Sequence, residues 1–246
     1  MTNDDGYDAP GLSALVAALE PLGDLIVAAP DREQSATAHA LTLNRPLRAI
    51  EVESNRYRID GTPTDCVHLA VRKLTGGRLP DLVASGINRG LNIGDDLTYS
   101  GTVAGALEGA LLHIPAVALS AQSDGKGGAE YTHAAEFAGK ICSDILERGL
   151  NPGVLLNVNV PAVEPRGVRV TRQGTRTYRA TAEERLDPSG RPYYWIAGVD
   201  MTPSGEADGD HVAIGDGFIS VTPLHANLTH EPSLDVLAGW SLELPR

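Results

Sequence analysis

Residues 81–90 read Asp81-Leu82-Val83-Ala84-Ser85-Gly86-Ile87-Asn88-Arg89-Gly90, and this stretch best indicates the fold of the 246-residue chain. Its first half is a short apolar run, which is typical of a parallel strand buried on both faces. Its second half changes abruptly to glycine, amide and guanidinium groups. Because ligands bind beyond the carboxyl ends of the strands in open α/β sheets, the stretch predicts a buried strand that ends at a binding loop.

Similar apolar runs occur on both sides of this stretch and alternate with helical patterns. The predicted strands are residues 25–29, 81–85, 116–119 and 154–158, with an extended ribbon at 41–50 and 57–60. The predicted helices begin at Asp8-Ala9-Pro10, at Thr62-Pro63, at Gly101 and at about Ala129. Strands that alternate with helices predict an α/β fold with a doubly wound, mostly parallel sheet.

The chain changes character at about residue 167. Residues 172–191 are polar, and Arg191-Pro192-Tyr193-Tyr194-Trp195-Ile196 has the pattern of one arm of a hairpin. A strand is expected at 217–221 and a short helix at 234–240. We therefore predict an α/β catalytic core at 1–166 and a C-terminal extension at 167–246. A projecting hairpin on a compact body would suit oligomerisation.

Composition narrows the function further. The net charge is −12 and no stretch is strongly basic, which argues against sequence-independent binding of DNA or RNA. A small anionic substrate remains compatible if a metal or a helix N-terminus supplies positive charge. Cys66 and Cys142 are interpreted as buried thiols in a reducing compartment. With neither a secretory signal pattern nor a membrane-spanning run, we expect a cytoplasmic protein.

Three polar loops are expected to meet at one edge of the sheet, at residues 3–6, 30–35 and 85–90. The first carries adjacent carboxylates, Asp4 and Asp5, and hard divalent cations prefer such oxygen ligands. Ser35 and Asn88 are plausible neutral ligands from the other two loops. Two interpretations of the Asp pair stay open, since loop carboxylates also cap helices without binding metal.

A further polar site is expected at Ser100-Gly101-Thr102-Val103, where a helix of small residues begins. Free backbone N–H groups and two hydroxyls there could cradle an anion, although an ordinary N-cap has the same pattern. Residues 88–94 are glycine-spaced but do not match G-x-G-x-x-G, so no dinucleotide site is predicted. Arg89 could pair with a phosphate or with a carboxylate.

The sequence offers little support for a protein nucleophile or for zinc. G-x-S-x-G is absent, and Ser35 with His39 is weak support for a Ser–His pair. The histidines lack zinc-ligand spacing. Metal-activated water needs no protein nucleophile and fits the oxygen-rich loops better.

Several collinear blocks of this sequence closely resemble the SurE family of nucleotidases. The blocks are Thr2-Asn-Asp-Asp-Gly6 with Pro10-Gly11, Ala29-Pro-Asp-Arg-Glu-Gln-Ser-Ala-Thr37, Ser85-Gly-Ile-Asn-Arg-Gly90 with Asn92, Gly94 and Tyr99-Ser-Gly-Thr-Val103, Asn157-Val-Asn-Val-Pro161, and Ser220-Val-Thr-Pro-Leu224. They extend over nearly the whole chain.

This resemblance implies a Rossmann-like core whose C-terminal hairpin and tail exchange between the subunits of a homodimer or homotetramer. It implies hydrolysis of nucleoside 5′- and 3′-monophosphates, and in some members of short polyphosphate. It also implies one divalent cation, Mg²⁺ or Mn²⁺, in each subunit. The implied metal ligands are Asp4, Asp5, Ser35 and Asn88, and the implied phosphate contacts are Asn92, Ser100, Gly101 and Thr102.

Two departures from the family pattern affect these expectations. Family members normally have several apolar residues before the Asn-Asp-Asp-Gly block, whereas only Met1 and Thr2 precede it here. We therefore expect the first strand to be missing from this chain and the true start to lie upstream; a start at Met1 would place an α-amino group near the carboxylates. At Asp208-Gly209-Asp210 many relatives have Thr-Asp, which leaves catalytic support from Asp210 or His230 open.

The expected mechanism is in-line attack of a metal-activated water on phosphorus, with donors at Asn92 and residues 100–102 holding the phosphoryl group. Asp5 and His39 are the candidates for a general base. Two alternatives remain, a phosphatase or exopolyphosphatase for another substrate and a nucleotide-binding module without turnover.

Overall fold

A computed structural model describes residues 1–123, 129–204 and 207–240. The described strands are β1 (Val27–Pro30), β2 (Ala49–Glu53), β3 (Arg56–Ile59), β4 (Val83–Arg89), β5 (Ala116–Ala121), β6 (Val154–Val160), β7 (Val168–Val170), β8 (Thr175–Leu186), β9 (Pro192–Ser204) and β10 (Ile219–His225). The described helices are α1 (Pro10–Leu19), α2 (Pro63–Leu69), α3 (Gly101–Leu111), α4 (Thr132–Arg148), α5 (Asp210–Gly215) and α6 (Glu231–Ala238).

The main sheet has the strand order β4-β5-β6-β10-β7, and its first three strands are parallel. β10 runs antiparallel to β6 and parallel to β7. The predicted α/β class with a mostly parallel sheet is therefore confirmed. Because β7 and β10 complete this sheet, residues beyond 166 contribute directly to it, and the division at residue 166 stays a prediction.

Helices cover both faces of the main sheet, and β5 shows why its sequence is apolar throughout. Val117 and Leu119 pack with α1 and α4 on one face. Ala116 and Ala118 pack with α2 and α3 on the other. Successive strand residues point to opposite faces, so a strand covered on both sides needs apolar residues at every position.

A smaller sheet is joined to the main one through the first residues of the chain. In this sheet β3 lies between β1, to which it is parallel, and β2, to which it is antiparallel. The Ala28 amide donates to the Met1 carbonyl at 2.9 Å, while the Thr2 amide donates to the Ala84 carbonyl at 3.0 Å. Met1 and Thr2 thus lie between β1 and β4, where the first strand of the fold is expected.

A long antiparallel hairpin, β8 and β9, extends from Thr175 to Ser204. Residues 192–196 of the predicted arm belong to β9, whereas the polar pattern of the other arm did not indicate a strand. Near the turn, the side chains of Tyr194, Trp195 and Ile196 are 60%, 59% and 89% exposed. The last residues of the predicted extension, 241–246, lie outside the described residues.

Several element boundaries differ from those predicted. The N-cap position of α1 is Ala9 rather than Asp8, and no side chain caps this helix. The Asp8 carboxylate instead accepts hydrogen bonds from Arg58 at 2.5 and 2.7 Å. The ribbon predicted from residue 41 begins only at Ala49. β4 extends to Arg89, since its last residues continue the pairing with β5.

Cys66 and Cys142 are buried free thiols, as predicted. Among the helices in the described part of the chain, none has the length and apolar character needed to cross a membrane.

Candidate active site

Asp4 lies at the centre of the loops that follow the parallel strands, and only 5% of it is exposed. The Thr102 hydroxyl donates a hydrogen bond to its Oδ1 atom. Its main-chain carbonyl accepts from the Gln34 amide at 2.7 Å, which fastens the loop after β1 to this residue. Burial raises the pKa of Asp4 to about 6, with the bond from Thr102 opposing this rise and the Asp5 charge adding to it.

Asp5 reaches the end of β4. Its Oδ2 atom accepts a hydrogen bond from the Arg89 amide at 3.0 Å. Burial raises the pKa of Asp5, and the bond and charge of Arg89 oppose the rise. The three loops predicted to meet at one sheet edge are therefore linked by hydrogen bonds that involve Asp4 and Asp5.

The remaining predicted metal ligands lie on those same loops. Ser35 is exposed, and its hydroxyl donates to Glu33 Oε1 at 2.8 Å. Asn88 is half-buried at the end of β4, and its Nδ2 atom donates to the Gly90 carbonyl at 2.9 Å.

The donor chemistry at this edge fits a hard divalent cation. Neither Asp4 nor Asp5 forms an ion pair with a described residue. Asp4 and Asp5 are adjacent, and the pKa values of both are raised. A bound cation would stabilise their charged forms. No described group of three or more His, Cys, Asp and Glu is arranged for metal binding, so any such site must include neutral oxygens such as those of Ser35 and Asn88.

The start of α3 packs directly against Asp4. Ser100 is the N-cap of this helix, and its hydroxyl accepts a hydrogen bond from the Val103 amide at 3.0 Å. Gly101 is buried against the carboxylate, because a Cβ atom at this position would lie 2.8 Å from Asp4 Cβ and 2.9 Å from Oδ2. Ser100 is thus the N-cap of α3, and residues 101 and 102 hold the Asp4 side chain in place. A contact between Ser100 and a phosphate stays a prediction.

Substituting Gly101 with alanine should displace the Asp4 carboxylate. The added methyl group cannot fit at these distances, so we expect at least a tenfold loss of activity and weaker activation by Mn²⁺. Initial rates across a Mn²⁺ titration measure both effects. Gly215→Ala is a matched control, since its added carbon would point into open space. Unchanged Mn²⁺ activation in Gly101→Ala would show that the contact does not position Asp4.

Asn92 takes part in a buried amide network. Its Nδ2 atom donates to Ser120 Oγ at 2.8 Å, and its main-chain amide donates to Asn159 Oδ1 at 2.8 Å. Its carbonyl accepts from Asn157 and Asn159 at 2.9 Å each. The network fixes the loop after β4 to β5 and β6. Sequence reasoning missed it, although two asparagines inside a buried strand indicate a satisfied polar network.

The scan against family models matches residues 1–180 to the model described as Survival protein SurE. This chain belongs to the SurE family. It is 48% identical over 248 residues to 5′-nucleotidase SurE of Syntrophotalea carbinolica, covering 98% of this chain and 96% of that protein. It is 49% identical over 245 residues to 5′-nucleotidase SurE of Geotalea uraniireducens, covering 98% of both.

A solved structure agrees with this family membership. The crystal structure of SurE protein from Aquifex aeolicus superposes with a TM-score of 0.83 at 43% identity, and the match covers 96% of each chain. The predicted resemblance to the SurE family is therefore confirmed over nearly the whole length.

Next to the loops of this SurE-family site, a carboxylate joins two histidines. Glu108 on α3 has a side chain that is 8% exposed, and it contacts His39 Nε2 at 3.0 Å and His68 Nδ1 at 2.9 Å. The hydrogen bond from His39 and, after it, that from His68 lower the pKa of Glu108. His39, a predicted candidate base, is thus held by Glu108. The pairing was missed because the partners are 69 and 40 residues apart in the chain.

Glu108→Gln should destabilise the protein by about 1 kcal/mol near pH 7, because it loses a carboxylate that accepts two hydrogen bonds. The pKa of Glu108 is lowered by folding, so this stabilisation is present above the unfolded-state pKa and is lost as pH falls through the folded-state value. Urea unfolding at pH 7 and pH 4 checks both statements. Glu147→Gln, at an exposed position, is the control. If Glu108→Gln lost more stability at pH 4 than at pH 7, a lowered pKa of Glu108 in the folded protein would be contradicted.

Asp210 is fully buried and joins two segments. Its carboxylate accepts from the Gly94 amide at 2.8 Å and from the Gly174 amide at 3.1 Å. It thereby ties the loop that carries Asn92 to the base of the β8–β9 hairpin. His230 is instead exposed at the start of α6, where its Nδ1 atom lies 2.6 Å from Ser233 Oγ.

Proposed function

We propose that this protein is a metal-dependent phosphomonoesterase that hydrolyses nucleoside 5′-monophosphates, and also 3′-monophosphates, to nucleoside and phosphate. The observation that carries the proposal is the buried Asp4 carboxylate, which lies beside Asp5, accepts a hydrogen bond from the Thr102 hydroxyl and packs against Gly101. A bound divalent cation would favour the charged form of this carboxylate. The relatives named 5′-nucleotidase support a nucleotide as the substrate.

The metal in this proposal is one Mg²⁺ or Mn²⁺ ion per subunit, bound by Asp4, Asp5, Ser35 and Asn88. A divalent cation at this place supplies Lewis acidity toward a phosphate oxygen and lowers the pKa of water. Asp4 and Asp5 provide the negative charge that selects a cation. Ser35 is carried by the loop whose Gln34 amide already binds the Asp4 carbonyl.

The phosphate in this proposal lies at the start of α3. The first backbone N–H groups of a helix point outward and favour an anion. In this proposal Ser100, Gly101 and Thr102 form that first turn next to Asp4, and the Thr102 amide also faces the Asp4 carboxylate and opposes the rise that burial causes in its pKa. The Asn92 amide donates to Ser120, so Asn92 supports the site first by fixing its loop, and a direct contact with phosphate stays a prediction.

The test is phosphate release from AMP with Mn²⁺ present, in excess chelator, and after Mn²⁺ is restored. We expect turnover that chelator abolishes and metal recovers. A panel with 3′-AMP, a short polyphosphate and a simple phosphomonoester tests the substrate class. Binding of AMP without phosphate release would instead indicate a nucleotide-binding module, and faster release from polyphosphate would indicate an exopolyphosphatase.

The proposal includes a cytoplasmic homodimer or homotetramer formed through the C-terminal hairpin and tail. Its support is the group of exposed side chains near the hairpin turn, Tyr194, Trp195 and Ile196, because clustered exposed aromatic and aliphatic groups favour an interface. Light scattering on the intact protein and on a Trp195→Ser/Ile196→Ser variant tests it. A wild-type monomer at micromolar concentration would overturn this part.

A further inference from the structure

A cavity of about 360 Å³ opens beside the Asp pair. Its lining residues are Asp5, Ala9, Pro10, Glu33, Arg89, Ala129 and Tyr131. A larger cavity of about 420 Å³ lies between α1 and the small sheet, but neither Asp4 nor Asp5 lines it. The cavity of about 360 Å³ therefore adjoins the proposed reaction centre. It can hold the part of a substrate to which the phosphate is attached.

Tyr131 supplies the aromatic surface of this cavity. Its ring packs closely against α1, since a Cβ atom on Gly11 would lie 3.0 Å from Tyr131 Cε1. Burial raises the pKa of the Tyr131 hydroxyl, the Asp5 charge adds to the rise, and the Arg89 charge opposes it. The ring thus packs against α1 and faces the charges of Asp5 and Arg89.

The lining combines two kinds of surface. Ala9, Pro10, Ala129 and the Tyr131 ring are apolar or aromatic, which suits the face of a heterocycle. Glu33 supplies carboxylate oxygens that can accept hydrogen bonds from sugar hydroxyls. This combination matches a nucleoside better than a compact phosphoester, which has no flat apolar face to bury.

We propose that this cavity is the nucleoside subsite, in which the base stacks on Tyr131 while the 5′-phosphate reaches the Asp4–Asp5 loop. The inference rests on the proposed function for the phosphate end, but the subsite itself requires only that a nucleoside binds. Stacking on an aromatic side chain is tolerant of base identity, because every base has a π-face.

The first experiment measures adenosine binding by calorimetry to the intact protein and to three variants. Tyr131→Ala should weaken the affinity by about tenfold or more, while Tyr131→Phe should stay near wild type because the ring is retained. Tyr193→Ala, which truncates an aromatic residue on the hairpin, should not change it. Equal affinity in wild type and a folded Tyr131→Ala variant would overturn the subsite. This test needs no turnover, so it is separate from the test of hydrolysis.

The second experiment compares kcat/KM for AMP and for ribose 5-phosphate, which lacks the base. In Tyr131→Ala the ratio of the two should fall about tenfold, mainly through a higher KM for AMP. A ratio that stays at the wild-type value would overturn the assignment of Tyr131. If wild type hydrolyses neither compound yet binds adenosine through Tyr131, the subsite stands and the proposed hydrolysis fails.

Discussion

Asp4→Asn is expected to abolish phosphate release from AMP and at the same time to stabilise the metal-free protein. The variant keeps the shape of the side chain and an oxygen that accepts from Thr102, but it removes the negative charge. Loss of a partner that merely orients a metal ligand costs 10–100-fold, so loss of a proposed ligand should cost at least about 100-fold. Initial rates with saturating Mn²⁺ measure this effect.

The stability gain follows from the buried charge. Burial raises the pKa of Asp4 from 3.8 to about 6, which corresponds to a cost on the order of 2–3 kcal/mol for ionising it in the folded state. This penalty is fully present above about pH 6 and disappears as pH falls to the unfolded-state value near 4. In chelator, the asparagine variant should therefore be more stable at pH 7.5, and its advantage should shrink by pH 5.

Urea unfolding in chelator and in Mn²⁺ separates the two roles of Asp4. Saturating Mn²⁺ should stabilise wild type but not Asp4→Asn, because a ligand stabilises only the state that binds it. Asp24→Asn, at an exposed position, is the matched control for the loss of one carboxylate. Wild-type activity in a folded Asp4→Asn variant would show that this carboxylate does not serve the metal.

The sequence predicted best what depends on local pattern. The apolar residues of β5 predicted a strand buried on both faces, and Thr62 capped α2 as the sequence indicated. The edge at which the polar loops meet follows from parallel strand order, so the meeting of the Asp4, Ser35 and Asn88 loops could be inferred without coordinates.

What sequence could not predict depends on contacts between distant segments. The bond from the Asn92 side-chain amide to the buried Ser120 hydroxyl joins residues 28 apart in the chain, and local pattern gives no sign of it. Glu108 on a helix of small residues gave no sign that it would join two histidines. Asp210 looked like a possible catalytic group, yet its position is determined by backbone amides from two other segments. Such pairings arise from packing, which local periodicity does not encode.

Gly11→Ala is expected to be the most destabilising single methyl addition at the site. α1 approaches the end of β4 so closely that a Cβ atom on Gly11 would lie 1.9 Å from the Ile87 carbonyl oxygen. That oxygen belongs to the backbone and cannot rotate away, so the helix must move. Overpacking typically costs 1–3 kcal/mol, and we expect about 3 kcal/mol or more here.

Thermal and urea unfolding measure the loss, with Gly215→Ala as the control because its added carbon meets open space. Alanine is otherwise preferred over glycine in a helix by up to about 1 kcal/mol, so a close contact is needed to reverse the sign. Activity should fall as well, since Ile87 directly precedes Asn88 and the same added carbon would lie 3.0 Å from the Tyr131 ring. A variant as stable as wild type would contradict the close contact between α1 and the end of β4.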